Sequence, residues 1–252
     1  GATLPEDVTK TGYEFLGWAT AAQASSITYT DGQSVKNLTD VNNEVVELFA
    51  VWKPNTYTVT FSQGEPTTLG TASIEATYDA ALQVVICPDS VGYAFGGYFT
   101  EENGGGVQYY TYEGKSAVAR YKNTSDITLY AFWTVRDYVI SFNNNGGTIT
   151  TDDYATSYHY GTEVTLGAIE KDGCTFGGWF ANVNCTGTAV TKIASSEYGD
   201  KTFYAKWNPI TYDITLHENG GTIITGNVAN YTFGVGTVLP SYSNMERDGH
   251  MF

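Results

Sequence analysis

The sequence predicts a mainly β protein built from tandem copies of one small unit. Its 252 residues include 20 Tyr, 12 Phe and 28 Gly, a composition rich in strand-forming and turn-forming residues. Several short segments alternate large apolar residues with Thr or Ser, as half-buried strands do. These segments recur in the same order along the chain, which indicates a repeat array rather than one medium-sized domain.

Three sequence blocks define the repeat. The first is an alternating strand, which occupies residues 57–61, 138–142 and 212–216. The second is a Gly-x-x-Phe-x-Gly-aromatic block, which occupies residues 12–18, 92–98 and 173–179. The third is a strand that ends in Ala-x-Trp, at residues 48–52, 129–133 and 203–207. The first and third blocks predict half-buried strands, and the second predicts a glycine turn leading into a strand whose Phe lies in the core.

The block order divides the chain into two complete and two partial units. Residues 56–136 and 137–210 are complete; residues 1–55 carry the later part of a unit and residues 211–252 the earlier part. We call these four segments repeats 1 to 4. We expect an excerpt from a longer array. The alternative is that partial units of different molecules complement each other by strand addition, although the two ends repeat some of the same pattern.

The connectors between units are short and constant in length. Four residues separate each Trp of the third block from the next Tyr, and two of the three connectors contain Pro. Such connectors are stiff, so we expect a preferred orientation between neighbours and a rod-like array. Within a unit, Asn-Gly-Gly at 145–147 and 219–221 predicts a turn after the first strand. One or two helical turns are predicted at 191–198.

Charge and motifs exclude several functions. Lys and Arg total 12 against 27 Asp and Glu, a net charge of −15, which argues against a nucleic-acid partner and against anionic membranes. No apolar run is long enough to span a bilayer, and no signal peptide is visible. The three His lie in different sub-blocks, away from ligand spacing. We therefore predict a protein without catalytic, metal or cofactor sites.

Cysteines and aromatic residues are the remaining candidates for specific roles. Cys174 and Cys185 flank one strand, eleven positions apart, which favours a disulfide over two unpaired thiols, with Cys87 free. The five Trp occupy repeated blocks and are predicted to be structural: Trp18, Trp52, Trp133, Trp179 and Trp207. An exposed aromatic patch for glycan or protein binding is predicted in the insertion 101–121, at Tyr109, Tyr110 and Tyr112.

The blocks in this order resemble the Listeria–Bacteroides repeat, the family that includes the internalin B-repeat. The resemblance rests on Tyr138–Phe142 with the following Asn-Gly-Gly, on Gly173–Trp179 and on Tyr204–Trp207, and it covers essentially the whole chain. It implies β-grasp-like, ubiquitin-like units, each with a curved mixed sheet and a short helix. It also implies tandem arrays in secreted or surface-anchored microbial proteins, without a catalytic motif.

The expected function is therefore structural. We expect an extracellular segment of a cell-surface stalk, filament or adhesin, with neighbouring repeats of the same or another chain as its partners. The alternative is a surface module that binds a carbohydrate or a host protein through the aromatic insertion 101–121.

Overall fold

The chain folds into two compact units, residues 1–135 and 136–252, in a computed structural model that describes residues 2–5, 8–150 and 154–250. Both units are built from strands and loops, so the prediction of a mainly β protein is confirmed. The boundary falls one residue before the end of repeat 2, so the first unit holds repeat 1 and nearly all of repeat 2, and the second holds repeats 3 and 4.

Repeat 1 contributes short strands to the first unit. They are β1 (Ala2–Thr3), β2 (Tyr13–Ala19), β3 (Ser34–Val35) and β4 (Phe49–Pro54). Strands β2 and β4 form an antiparallel pair, and β1 pairs with β3.

Repeat 2 forms a five-stranded sheet in the first unit. Its strands are β5 (Thr56–Ser62), β6 (Ser73–Thr77), β7 (Tyr93–Phe99), β8 (Gln108–Tyr110) and β9 (Ile127–Val135), with a 3₁₀ turn at Glu102–Gly104. The order across the sheet is β6-β5-β9-β7-β8. The neighbours β5 and β9, which are the first and last strands of the repeat, run parallel.

Repeat 3 reproduces this sheet in the second unit. Its strands are β10 (Asp137–Asn143), β11 (Ser157–His159), β12 (Val164–Thr165), β13 (Cys174–Phe180), β14 (Lys192–Ile193) and β15 (Lys201–Pro209). The order is β11-β10-β15-β13, again with a parallel pair, β10 and β15, between antiparallel neighbours. The insertion in repeat 2 accounts for the extra strand β8.

Repeat 4 forms smaller ladders. Its strands are β16 (Thr211–Asp213), β17 (Thr222–Ile223), β18 (Asn230–Thr232) and β19 (Met245–Glu246), with a 3₁₀ turn at Tyr242–Asn244. Strand β16 pairs with β18, and β17 pairs with β19.

The helix predicted in each unit is wrong for the described residues, where helical structure is limited to the two three-residue 3₁₀ turns. The segment 191–198 instead contains β14, in which Ile193 pairs with Val164. The amide of Leu166 also donates to the carbonyl of Thr191. Because β-branched Thr and Ile favour a ladder over a helix, the segment joins strand pairing. The more detailed prediction of a β-grasp unit with a helix therefore finds no support.

Each complete repeat has its own core. In repeat 2 the core is centred on Val59, Tyr98, Tyr110, Tyr121 and Leu129, which are fully buried. In repeat 3 the core is formed by residues of the equivalent strands, including Ile140 in β10, Trp179 in β13 and Phe203 in β15.

Candidate functional site

A triad of aromatic rings recurs in three repeats. The Phe of the second block packs edge-on against the following aromatic residue and at a tilt against the Trp of the third block. The ring centroids of Phe15 and Trp18 lie 5.4 Å apart, and those of Phe15 and Trp52 lie 5.2 Å apart. The equivalent distances are 5.0 and 5.3 Å around Phe95, and 5.5 and 5.5 Å around Phe176. Such geometry suits the quadrupoles of aromatic rings.

The five Trp predicted to be structural all lie in these triads. Trp179 is buried, and the others are half-buried. The indole N–H of Trp133 donates to the carbonyl of Gln63, and that of Trp207 donates to the carbonyl of Asn144. These bonds connect the last strand of a repeat to the turn after its first strand.

A β-bulge in the second block requires its second glycine. The pairing of β2 with β4 shifts register between Phe15 and Gly17, and the equivalent strands shift at the same place in repeats 2 and 3. Gly17 has a φ of +143°, a conformation that L side chains rarely adopt. The bulge lets Phe15 and Trp18 point into the same triad, although three positions separate them.

A contact between consecutive repeats uses the first glycine of the same block. A β-carbon built on Gly12 would lie 2.4 Å from Cγ of Tyr78, so the ring of Tyr78, in repeat 2, packs on the backbone of repeat 1. In the second unit, a β-carbon on Gly173 would lie 2.2 Å from Cγ of Phe233 in repeat 4. We call these two contacts the Gly12 joint and the Gly173 joint.

Backbone hydrogen bonds through the connector complete each joint. At the Gly12 joint, the amide of Asn55 donates to the carbonyl of Gly12 over 2.9 Å, and the amide of Tyr78 donates to the carbonyl of Asn55 over 2.9 Å. At the Gly173 joint, Ile210 takes the place of Asn55, with equivalent bonds of 2.8 and 3.0 Å. The connector residue therefore bonds to both repeats, which restricts their relative motion.

A polar cluster reinforces the Gly12 joint. The hydroxyl of Tyr13 donates to the carboxylate of Asp79 over 3.2 Å, and the ammonium of Lys122 donates to the same carboxylate over 2.5 Å. The hydrogen bond from Lys122 holds the pKa of the Asp79 carboxyl below its ordinary value. The pKa of the Tyr13 hydroxyl is raised, first by burial and second by the negative charge of Asp79. At the Gly173 joint the position of Asp79 is taken by Gly234, which has no side chain to form such a cluster.

The predicted disulfide is not formed, since Cys87, Cys174 and Cys185 are all free. Cys174 lies opposite Pro209 at one end of β13, whereas the thiol of Cys185 lies 3.7 Å from the carbonyl of Ala205. Four residues of β15 separate these two positions, about 13 Å at the rise of a strand. A disulfide needs α-carbons within about 6.8 Å.

The predicted aromatic patch is wrong for two of its three members. Tyr110 is fully buried and Tyr109 is 9% exposed, both within the core of repeat 2. The hydroxyl of Tyr110 donates to the carbonyl of Gln83, and that of Tyr109 accepts from the amide of Asn123. Tyr112 is 66% exposed. The insertion 101–121 therefore extends the sheet and core through β8 instead of presenting three rings to a ligand.

The described residues show no group of three or more His, Cys, Asp or Glu side chains arranged to hold a metal ion. Over the same part of the chain, no helix has the length and apolarity needed to cross a bilayer.

The two joints were not found by sequence reasoning. Tyr78 lies 66 positions after Gly12, in another repeat, and no local pattern links them. A usable signal was present, because an aromatic residue follows the Tyr of the first block by 21 positions both at Tyr78 and at Phe233.

The aromatic triads and the joints recur along the chain, and one known repeat family likewise matches the sequence three times. The Listeria-Bacteroides repeat domain matches residues 1–42, 57–132 and 138–206. The chain belongs to the Listeria-Bacteroides repeat family. The resemblance inferred from the three blocks is thereby confirmed.

Two relatives of this chain come from Evansella cellulosilytica. One, named "Putative Gly-rich membrane protein", is 28% identical over 244 residues, covering 96% of this chain and 26% of that protein. The other, named "Putative membrane protein", is 28% identical over 206 residues, covering 81% of this chain and 28% of its own length. The chain thus spans about a quarter of these relatives. No solved structure matches it significantly.

Proposed function

We propose that this chain is a structural segment of a surface-associated microbial repeat protein, in which stiff joints between consecutive repeats hold other parts of the protein at a distance from the cell. The observation that carries the proposal is the joint itself, built from the same glycine, connector and aromatic positions at Gly12 and Gly173. A spacer depends on a fixed geometry between its repeats rather than on a catalytic or ligand-binding group.

The family and the names of the relatives support the surface part of the proposal. The Listeria-Bacteroides repeat family and two proteins named as membrane proteins indicate a surface-associated repeat protein. The extracellular side and the stalk role are our inference from this association and from the joints. The alternative of a binding surface at 101–121 loses most of its basis, because Tyr109 and Tyr110 belong to a core.

The proposal is tested by displaying the chain on a cell between a membrane anchor and a terminal epitope. We expect the epitope on intact cells to be accessible to antibody, and its height above the membrane to rise when repeat 2 is duplicated. Each further copy of repeat 2 should add the same height, whereas each further Gly/Ser segment in a control series should add less than the one before, because a flexible chain gains span only with the square root of its length. The same diminishing gain in both series would contradict a spacer role.

A further inference from the structure

The Trp of the third block lies beside a lysine ammonium in two of the repeats. In repeat 1, Nζ of Lys10 lies 3.9 Å from the ring centroid of Tyr13 and 5.9 Å from that of Trp52. In repeat 3, Nζ of Lys171 lies 5.7 Å from the ring centroid of Trp207. Both lysines stand two positions before the first glycine of the second block, and both distances to Trp lie within the range of cation–π attraction, about 6 Å.

Repeat 2 carries Ser90 at this position, and a cavity is found there. The cavity has a volume of about 220 Å³ and is lined by Glu65, Ser90, Tyr93 and Trp133. Tyr93 and Trp133 correspond in sequence to Tyr13 and Trp52, the two rings that contact Lys10 in repeat 1. The substitution of a short side chain for Lys therefore leaves a space beside the Trp of repeat 2.

Two features prepare this cavity for a positive group. The ring of Trp133 is held in place because its N–H donates to the carbonyl of Gln63 over 3.1 Å and its ring packs at a tilt against Phe95. The carboxylate of Glu65 lies on the turn after the first strand, where the corresponding turn in repeat 3 carries Asn145 and Gly146. In repeat 3 that turn already receives an ammonium, because Lys171 donates to the carbonyl of Asn145 over 2.8 Å.

We propose that the cavity of repeat 2 binds a primary alkylammonium group, as carried by a lysine side chain or a small amine. The aromatic ring and the carboxylate together recognise a cation, and Lys10 and Lys171 show the position that an ammonium takes beside the equivalent Trp. The net charge of −15 favours the approach of cations over anions. One aromatic ring and one exposed carboxylate give weak binding, with a dissociation constant on the order of 100 mM.

The site is tested by NMR on the intact chain, following the five Trp indole N–H signals during titration with n-butylammonium chloride. The signal of Trp133, assigned from a Trp133→Phe variant, should shift and saturate, while those of Trp52 and Trp207 stay in place. The neutral isostere n-butanol should produce no saturable shift. A second titration uses Nα-acetyl-lysine N-methylamide: tighter binding than butylammonium indicates a lysine side chain as the natural source, and equal binding indicates a small amine.

Matched variants give the test its controls. Ser90→Lys places a lysine where repeats 1 and 3 have one, and it should weaken butylammonium binding at least tenfold. Glu65→Gln, at an exposed position that packing does not depend on, should weaken it several-fold. Lys171→Ser should add a response at Trp207.

Three results would overturn the proposal. They are a Trp133 shift that does not saturate, an equal response of all five indole signals, and binding that Ser90→Lys leaves unchanged while the rest of the spectrum shows an intact fold.

Discussion

The ring of Tyr78 packs on the α-carbon of Gly12, so closely that a β-carbon there would lie 2.4 Å from the ring. Gly12 also has a φ of +78°, which L side chains rarely adopt. Gly173 repeats both features, with a φ of +67° and the ring of Phe233 in place of Tyr78. Each joint thus needs glycine for two independent reasons, one steric and one conformational.

Substitution of Gly12 should separate these two reasons. Gly64 has a similar φ of +70° in the same unit, but a β-carbon there meets only Trp133 Nε1, at 3.7 Å. We expect Gly64→Ala to cost about 1–2 kcal/mol, the conformational penalty alone, and Gly12→Ala to cost about 1–3 kcal/mol more, from overpacking against Tyr78. Urea unfolding of both variants measures the difference. Equal losses would mean that the ring moves aside without cost.

The polar cluster at the Gly12 joint predicts a dependence on pH. The pKa of Asp79 is lowered in the folded chain because Lys122 donates to its carboxylate. A carboxyl with a lowered folded pKa contributes stability above its unfolded pKa, and this contribution is lost as the pH falls through the folded pKa. In thermal unfolding experiments, the native chain should therefore lose stability below about pH 4. Its loss should be steeper than that of the Asp79→Asn variant. Parallel curves for the two proteins would contradict a role for Asp79 in the joint.

Tyr98 occupies the position that Trp takes in repeats 1 and 3, and its environment predicts an unusual mutation effect. Its side chain is fully buried, and its hydroxyl has no hydrogen-bond partner within the described residues. At the equivalent place, the N–H of Trp179 donates to the carbonyl of Gly167 over 2.7 Å. Tyr98→Phe removes an unpartnered polar atom and should stabilise the chain by about 1 kcal/mol.

The control for Tyr98 is Tyr110, which is equally buried but whose hydroxyl donates to the carbonyl of Gln83. Tyr110→Phe leaves that carbonyl without its donor and should destabilise the chain by about 1 kcal/mol. Chemical denaturation of both variants gives the comparison. The interpretation is wrong if the two substitutions have the same sign.

The number of free thiols distinguishes the structure, in which all three cysteines are free, from the sequence-based prediction of one disulfide. With Cys87, Cys174 and Cys185 free, titration of the denatured, unreduced chain should find three thiols. In the native chain Cys87 should react slowest, because burial raises its pKa and keeps it protonated. A count of one thiol after denaturation without reductant would restore the disulfide between Cys174 and Cys185.

Structural features that depend on the local sequence pattern were predicted correctly. Features that depend on pairing between distant segments were missed. The alternation in residues 57–61 and 138–142 correctly predicted strands, and the second block correctly placed Phe95 against the core of repeat 2. The helix at 191–198 failed because strand pairing to Val164 decides that segment, and the local sequence does not show this.

The disulfide and the aromatic patch were predicted wrongly for two different reasons. The interval between Cys174 and Cys185 is short in sequence, but the intervening strand is extended and keeps the two thiols at different positions along β15. Tyr109 and Tyr110 were assigned to the surface because they do not repeat, yet the insertion that carries them adds strand β8 and part of the core. A residue outside the repeat pattern is therefore not necessarily outside the core.

Whether the Gly12 joint fixes repeats 1 and 2 relative to each other can be measured directly as the distance between two spin labels within the first unit. Spin labels at Glu14 in repeat 1 and Thr128 in repeat 2 occupy exposed strand positions, with the native cysteines replaced by Ser. We predict one narrow distance distribution, which Tyr78→Ala broadens while the circular dichroism of the strands is retained. A broad distribution in the chain with Tyr78 intact, or one that Tyr78→Ala leaves unchanged, would contradict it.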